Sequence, residues 1–279
     1  MVRMQNADVV ARSVSKLREK LALKGTVPLG VILGTGLSGV TDGLDAREVP
    51  YSALPNFPCS TTASHKGSFV LAQSRGTPVL FAAGRCHLYE GWNASDVCMG
   101  VRVMHGLGVK TLVITNASGA INPQFDAGSL MCVTDQINMT GVSPLTGPNN
   151  DKWGIRFPDM SETFDRELLA LATRTALDAK IPLLKGVYVG VHGPELETPA
   201  ETRMLRMIGA DAVGMSSVLE VICARHLGMR VLEISCLANK NLPDCMAPVS
   251  IEDILESCAR AEAHLVTLLT GILGALGGR

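Results

Sequence analysis

The stretch Gly186–Ser216, GVYVGVHGPELETPAETRMLRMIGADAVGMS, holds one full cycle of the fold. Gly186–Val191 is a β-branched-rich run punctuated by glycine, which reads as a buried strand. A Gly/Pro-rich loop with two carboxylates, Glu195 and Glu197, follows it. Thr198-Pro199 then opens a helix over Pro199–Ile208, because a threonine oxygen caps free N–H groups and proline presets the first turn. The short apolar run Ala212–Met215 leads into a Gly-Met-Ser turn. Strand, helix and strand in this order form a unit whose helix packs on a sheet.

The same alternation extends in both directions. Strand-like runs lie at Leu29–Leu33, Ser68–Ala72, Val79–Ala83, Thr111–Thr115, Leu130–Thr134 and Val231–Ser235. Helical patterns cover Ala94–Leu107, Asp165–Ala179, Val218–Leu227 and Ile251–Gly271. Val10, Val14, Leu17 and Leu21 recur at helical spacing near the start, among charged residues, which predicts an amphipathic helix and not a signal peptide. No linker, repeat or low-complexity tract interrupts the pattern. The expectation is one α/β domain over residues 1–279, on a central twisted mixed sheet, largely parallel, flanked by helices.

Composition removes several classes of function. A net charge of −1 with interspersed signs argues against nucleic acid or an anionic membrane surface as a partner. The longest apolar stretch, His264–Gly278, is too short to span a bilayer. The eight cysteines form no CxxC pair, so no metal site is expected, and the simplest reading is reduced, mostly buried thiols in a cytoplasmic protein.

In an open α/β sheet ligands gather at the C-terminal ends of strands, and the polar clusters of this chain follow strands in that way. Gly34-Thr35-Gly36-Leu37-Ser38-Gly39 matches GxGxxG, a dinucleotide fingerprint, but the acidic residue expected about 20 residues on is missing. An anion-binding loop with the Thr35 hydroxyl fits better, and a plain structural turn stays open. In Gly84–Gly91, Arg85, His87 and Tyr89 fall on one side of an extended loop, and guanidinium beside imidazole suits phosphate; the alternative is a salt-bridged surface turn. Thr115–Ala120 is small enough for a ligand to approach its backbone. Asn239 could bond a heterocycle nitrogen or cap a turn, and Met215 alone would read as core. Glu197 can accept from ring N–H groups, and Ser216 on its tight turn can face an anion, so one cleft would see a base at one end and an anion at the other.

Taken in order, from Gly30 to Asn239, these clusters resemble the trimeric purine nucleoside phosphorylases that act on 6-oxopurine nucleosides. The likeness includes the stretch from Ser64 to Gly108 and the block GADAVGMSSVLEVICARHLGMRV. It implies a phosphorylase/hydrolase-like fold and phosphorolysis of inosine and guanosine, with inorganic phosphate as co-substrate and no metal or organic cofactor. It places phosphate against Thr35, His65, Arg85, His87, the Ala117 N–H and Ser216. Tyr89 and Met215 would meet the ribose; Leu196, Val213 and Gly214 would line the base pocket. Glu197 would accept from purine N1–H and Asn239 would bond N7, which with His87 makes the catalytic set. Phe157 would enter a neighbouring subunit's site, implying a homotrimer.

The chain departs from the family's usual pattern at four points. Thr35 stands for serine, Leu196 for an aromatic residue, Ala238 for threonine and Ile251 for a histidine that bonds the ribose 5′-OH. Ile251 would leave the 5′ end of the pocket apolar, which raises an alternative substrate, a 5′-deoxy or 5′-methylthio nucleoside; otherwise Ile251 is the first core residue of the last helix. A Rossmann-type oxidoreductase, resting on GTGLSG alone, and a non-catalytic nucleoside binder are the other two classes left open.

Overall fold

The computed structural model describes residues 7–35, 37–41, 45–62 and 66–278. In chain order they form α1 (Ala7–Lys20), β1 (Leu29–Leu33), β2 (Arg47–Pro50), β3 (Ser68–Ser74), β4 (Thr77–Ala83), α2 (Ala94–Val97), α3 (Met99–Gly106) and β5 (Thr111–Ala120). Then come β6 (Leu130–Asn138), α4 (Arg166–Asp178), β7 (Leu183–Gly190), α5 (Pro199–Met207), β8 (Ala212–Gly214), α6 (Val218–His226), β9 (Arg230–Lys240) and α7 (Ile251–Gly277). Every predicted strand and helix is present.

The sheet is mixed, in the order β2-β3-β4-β1-β5-β8-β7-β6-β9. It is less parallel than the alternation of elements suggested: β3 runs antiparallel to β2 and β4, β8 to β5, and β9 to β6. β5 and β9 also pair with each other in parallel, so β5, β8, β7, β6 and β9 close on themselves. Closure leaves no open edge among these five strands, while β2 remains an edge at the other end of the sheet.

Two cores sandwich the sheet. Leu17 of α1, Met104 of α3 and Leu219 of α6 pack on one face, with Ile32, Leu80 and Leu112 from the strands. Leu168 of α4 and Leu265 and Leu269 of α7 cover the other, against Val31, Phe81 and Ile234. β1 is buried at all five positions, as expected for a central strand with helices on both faces. α5 seals the closed end through Leu205 over Val213 and Val189.

Local differences from the sequence reading have local causes. The predicted helix Ala94–Leu107 is two helices, broken at Cys98. β2 was not anticipated; it is a four-residue edge strand with only Val49 buried, too short for a period to show. β5 and β9 run on to Ala120 and Lys240, past the predicted ends at Thr115 and Ser235. Those extensions build the site.

Candidate active site

β1 and β5 stay paired only as far as Ile32 and Ile114. Beyond that point β5 continues with β9, shifts register at Ser118/Gly119, and pairs with β8 through Gly119 and Val213. The strands therefore part just where the polar clusters begin, and the gap exposes the backbone around Ala117. Gly34 permits the turn out of β1: a Cβ there would lie 2.7 Å from Asn116 Cα. Gly214 is equally constrained, since a Cβ would collide with the Tyr188 hydroxyl.

A cavity of about 320 Å³ opens at this gap. Thr35, Arg85, His87, Tyr89, Ala117, Leu196, Glu197, Val213, Gly214, Met215, Ser216, Asn239 and Ile251 all line it. Phe157 is the one expected residue among the described ones that does not. Phe157 is 83% exposed on the loop between β6 and α4, away from this chain's own cavity. His65 lies outside the described residues. Glu195, the other carboxylate of the opening loop, is exposed and does not reach the lining.

One group of side chains clusters near Thr115–Ala117. Arg85 is buried and donates through Nη1 to the Thr115 carbonyl at 2.7 Å, while Nε pairs with the buried Glu220 at 3.1 Å. The loop after β4 is not extended throughout: Leu88–Glu90 forms a 3₁₀ turn, and Tyr89 reaches the cavity by stacking on His87, with ring centroids 4.6 Å apart. His87 Nδ1 donates to Glu90 Oε1 at 2.8 Å. Burial alone would raise the Glu90 carboxyl, but hydrogen bonds from His87 and Thr61 outweigh it and hold it at about 2. An ionised Glu90 favours the tautomer with hydrogen on Nδ1, which leaves Nε2 to bond a ligand. Ser216 packs beside the Tyr188 hydroxyl, Oγ to Oη 3.4 Å.

Behind this group lies a buried polar network. Asn116 Nδ2 donates to Glu233 Oε1 at 2.6 Å and to Ser217 Oγ at 3.0 Å, and Ser217 Oγ donates to the same Glu233 oxygen at 2.6 Å. Ser235 Oγ donates to Asn116 Oδ1 at 2.5 Å.

A second group clusters farther along β5, near Gly119 and Ala120. Asn239 sits against Gly119 in the β5–β9 pairing. Asn241 Nδ2 donates to Glu197 Oε2 at 2.6 Å. Burial raises the Glu197 carboxyl above its ordinary value, opposed by its hydrogen bonds, the one from Asn241 among them. Asn241 was not singled out from sequence, although the signal existed: it is two residues past Asn239, and period two puts both on one side of an extended chain. The remaining wall, Met246, Ala247, Pro248, Val249, Ile251 and Ile254, offers only apolar side chains. No pattern in the sequence marked 246–249, an irregular connection before α7. Among the described residues no cluster of three or more His, Cys, Asp or Glu could hold a metal ion, and no helix is long and apolar enough to cross a membrane.

Two polar groups separated along one strand, in one cavity, at the C-terminal ends of β1 and β4, define a site for a ligand with unlike ends. Residues 28–274 match the Phosphorylase superfamily. Purine nucleoside phosphorylase 1 of Bacillus subtilis is 43% identical over 267 residues, covering 95% of this chain and 98% of that protein. The mouse purine nucleoside phosphorylase is 45% identical over 77% of each chain. Isoform 2 of the Schistosoma mansoni enzyme, solved with cytosine and ribose-1-phosphate, superposes with a TM-score of 0.91 at 33% identity over 97% of both chains. A schistosomal purine nucleoside phosphorylase solved with hypoxanthine gives 0.89 at 33% identity, over 97% of this chain. The chain belongs to the phosphorylase superfamily, and within it to the purine nucleoside phosphorylases. It is therefore an enzyme of nucleoside phosphorolysis, and the oxidoreductase and binding-protein alternatives fall away.

Proposed function

We propose that this enzyme catalyses reversible phosphorolysis of 6-oxopurine ribo- and deoxyribonucleosides such as inosine and guanosine, yielding the free base and α-(deoxy)ribose 1-phosphate, in purine salvage in the cytoplasm. The observation that carries the reading is the pairing, in one cavity, of Arg85, His87 and Ser216 with Glu197 and Asn239. In this reading phosphate is held by Thr35, Arg85, His87, the Ala117 N–H and Ser216, with His65 beside them, and attacks C1′ as the purine leaves from the other face. Arg85 and His87 orient the nucleophile, an effect of position. The sugar gains oxocarbenium character over the phosphate dianion, so the co-substrate also supplies counter-charge. Glu197 accepts from N1–H of a 6-oxopurine, and Asn239 accepts from protonated N7 while donating to O6. A preorganised donor or acceptor of this kind lowers the barrier by about 3–4 kcal/mol. An asparagine that donates to O6 has no acceptor for a 6-amino group, so adenosine is rejected. Phosphate is the only co-substrate required; neither metal nor organic cofactor takes part. Phe157 completes the site of a neighbour in a homotrimer.

A second reading is supported by the wall from Met246 to Ile254, whose side chains give a 5′-hydroxyl no partner. It predicts that a 5′-methylthio or 5′-deoxy group is accepted as well as, or better than, the hydroxyl. Cleavage of inosine, adenosine and 5′-methylthioinosine, each with and without phosphate, tests both readings. Rapid phosphate-dependent loss of inosine with little loss of adenosine is expected. Comparable cleavage of adenosine overturns the base assignment, and poor cleavage of 5′-methylthioinosine overturns the second reading.

A further inference from the structure

Glu233 is the acidic member of the buried network, and the proposed chemistry gives it no role. It lies on β9, completely buried, behind the proposed anion site and not in it. Its Oε1 accepts from Ser217, the neighbour of Ser216, and from Asn116, the neighbour of Ala117. One carboxyl oxygen thus ties together the two backbone segments that would present a hydroxyl and an N–H to phosphate. Asn116 is fully engaged: its amide donates to Glu233 and Ser217, and its carbonyl accepts from Ser235. Neither segment can shift without breaking bonds inside a buried cluster, where each lost partner is costly.

The same position gives Glu233 an electrostatic role. Its Oε2 is buried with no hydrogen-bond partner among the described residues, which favours a proton there. The groups that face it are Arg85 from the loop after β4, Glu220 from α6, Tyr188 from β7 and Cys132 from β6. Arg85 already pairs with Glu220 at 3.1 Å, so this guanidinium cannot balance a second carboxylate and a dianion together. An ionised Glu233 would oppose the incoming anion.

Resting on the phosphate placement proposed above, we propose that Glu233 is a positioning residue that clamps the Asn116–Ala117 and Ser216–Ser217 arms of the anion site and makes anion affinity depend on its own protonation. Burial pushes its carboxyl up to about 7, against the opposing pull of the Ser217 hydrogen bond and Arg85, so the switch falls in the working range of pH.

Sulfate is a suitable probe, because it shares the tetrahedral dianionic form of phosphate but does not titrate between about pH 6 and about pH 9. Its inhibition constant against phosphate is measured across that range. In the wild-type enzyme it should rise about fivefold or more above neutrality. Glu233→Gln keeps an acceptor for Ser217 and Asn116 without the charge, and should abolish the part of the rise due to Glu233, leaving only what other groups contribute. Ser217→Ala removes a donor that favours the ionised form, and should move the rise to higher pH; it serves also if the glutamine variant does not fold. A flat wild-type profile, or the wild-type rise persisting in Glu233→Gln, overturns the proposal. Ser216→Ala separates the two layers: it should weaken sulfate at every pH, and no effect while phosphorolysis persists would overturn the placement of the anion itself.

Discussion

Glu197 illustrates how one added side chain can set the working state of another. The carboxylate has two oxygens, and Asn241 occupies Oε2 at 2.6 Å. That bond fixes the plane of the carboxyl and leaves Oε1 to meet a ring N–H. It also favours the ionised form that can accept, against the burial that raises the group. In the proposed reading the acceptor must be ionised, so nucleoside affinity is expected to fall as pH drops through a Glu197 value raised above the ordinary carboxylate range. Asn241→Leu should raise that acidic limb further and lower kcat/KM for inosine by about tenfold, the cost of losing a hydrogen bond to a charged group. The KM for phosphate should stay unchanged. Kinetics of both substrates across pH would check this, and a matched rise in both KM values would mean the loop had collapsed and the carboxylate was not merely freed. Most residues that line the cavity were legible in the sequence because each follows a strand and bears unusual chemistry for a loop, as Arg85 and His87 do. Asn241, Glu90 and Glu233 act through other side chains, and a partner distant in the chain leaves no local pattern.

At the scale of elements, the site depends on how segments end. α7 begins at the cavity wall, where Ile251 and Ile254 line the pocket. Its first turn is held by a reciprocal box: Ser250 Oγ accepts from the Asp253 N–H at 3.1 Å, and Asp253 accepts from the Ser250 N–H at 2.9 Å. Ser250→Ala should cost about 1 kcal/mol of stability. Fraying would also loosen the apolar wall, so nucleoside KM should rise while the KM for phosphate, which the proposed reading places at the opposite group, holds. Denaturant melts together with the two KM values would separate a local effect from a general one. Element type was readable because apolar periodicity is set by burial on one face or two. Element ends were not: Asn116–Ala120 carries small polar residues without a strand period, yet β5 runs through it because β9 and β8 pair with it from both sides. The break between α2 and α3 at Cys98 is of the same kind, since its neighbours all read as helical.

At the scale of the molecule, the alternation of strands and helices predicted the layers but not the closure of β5 onto β9, which is a pairing between distant segments. The long excursion between β6 and α4 is also a whole-molecule feature. It leaves Met139, Val142, Ile155 and Phe157 exposed, with Phe157 at 83%, more apolar surface than a solitary loop has reason to carry. Contacts within the chain hold it: Arg102 lies over the Trp153 ring at 4.8 Å, and Arg156 donates to the Leu145 carbonyl at 2.7 Å while lying over Phe157. A loop held by these contacts and presenting an aromatic side chain is suited to a partner, and the proposed partner is the next copy of the chain. If so, Phe157→Ala damages the neighbour's site while Glu197→Gln damages its own. Each variant alone should be impaired, the first by about tenfold in nucleoside KM, the size expected for a lost aromatic anchor. In mixed oligomers some sites join an intact Glu197 to a neighbour's intact Phe157. Co-expressed variants should therefore exceed the average of the two parents. Activity equal to that average, or a monomer by sedimentation, would overturn the shared site, because a Phe157 acting within its own chain cannot be supplied by another.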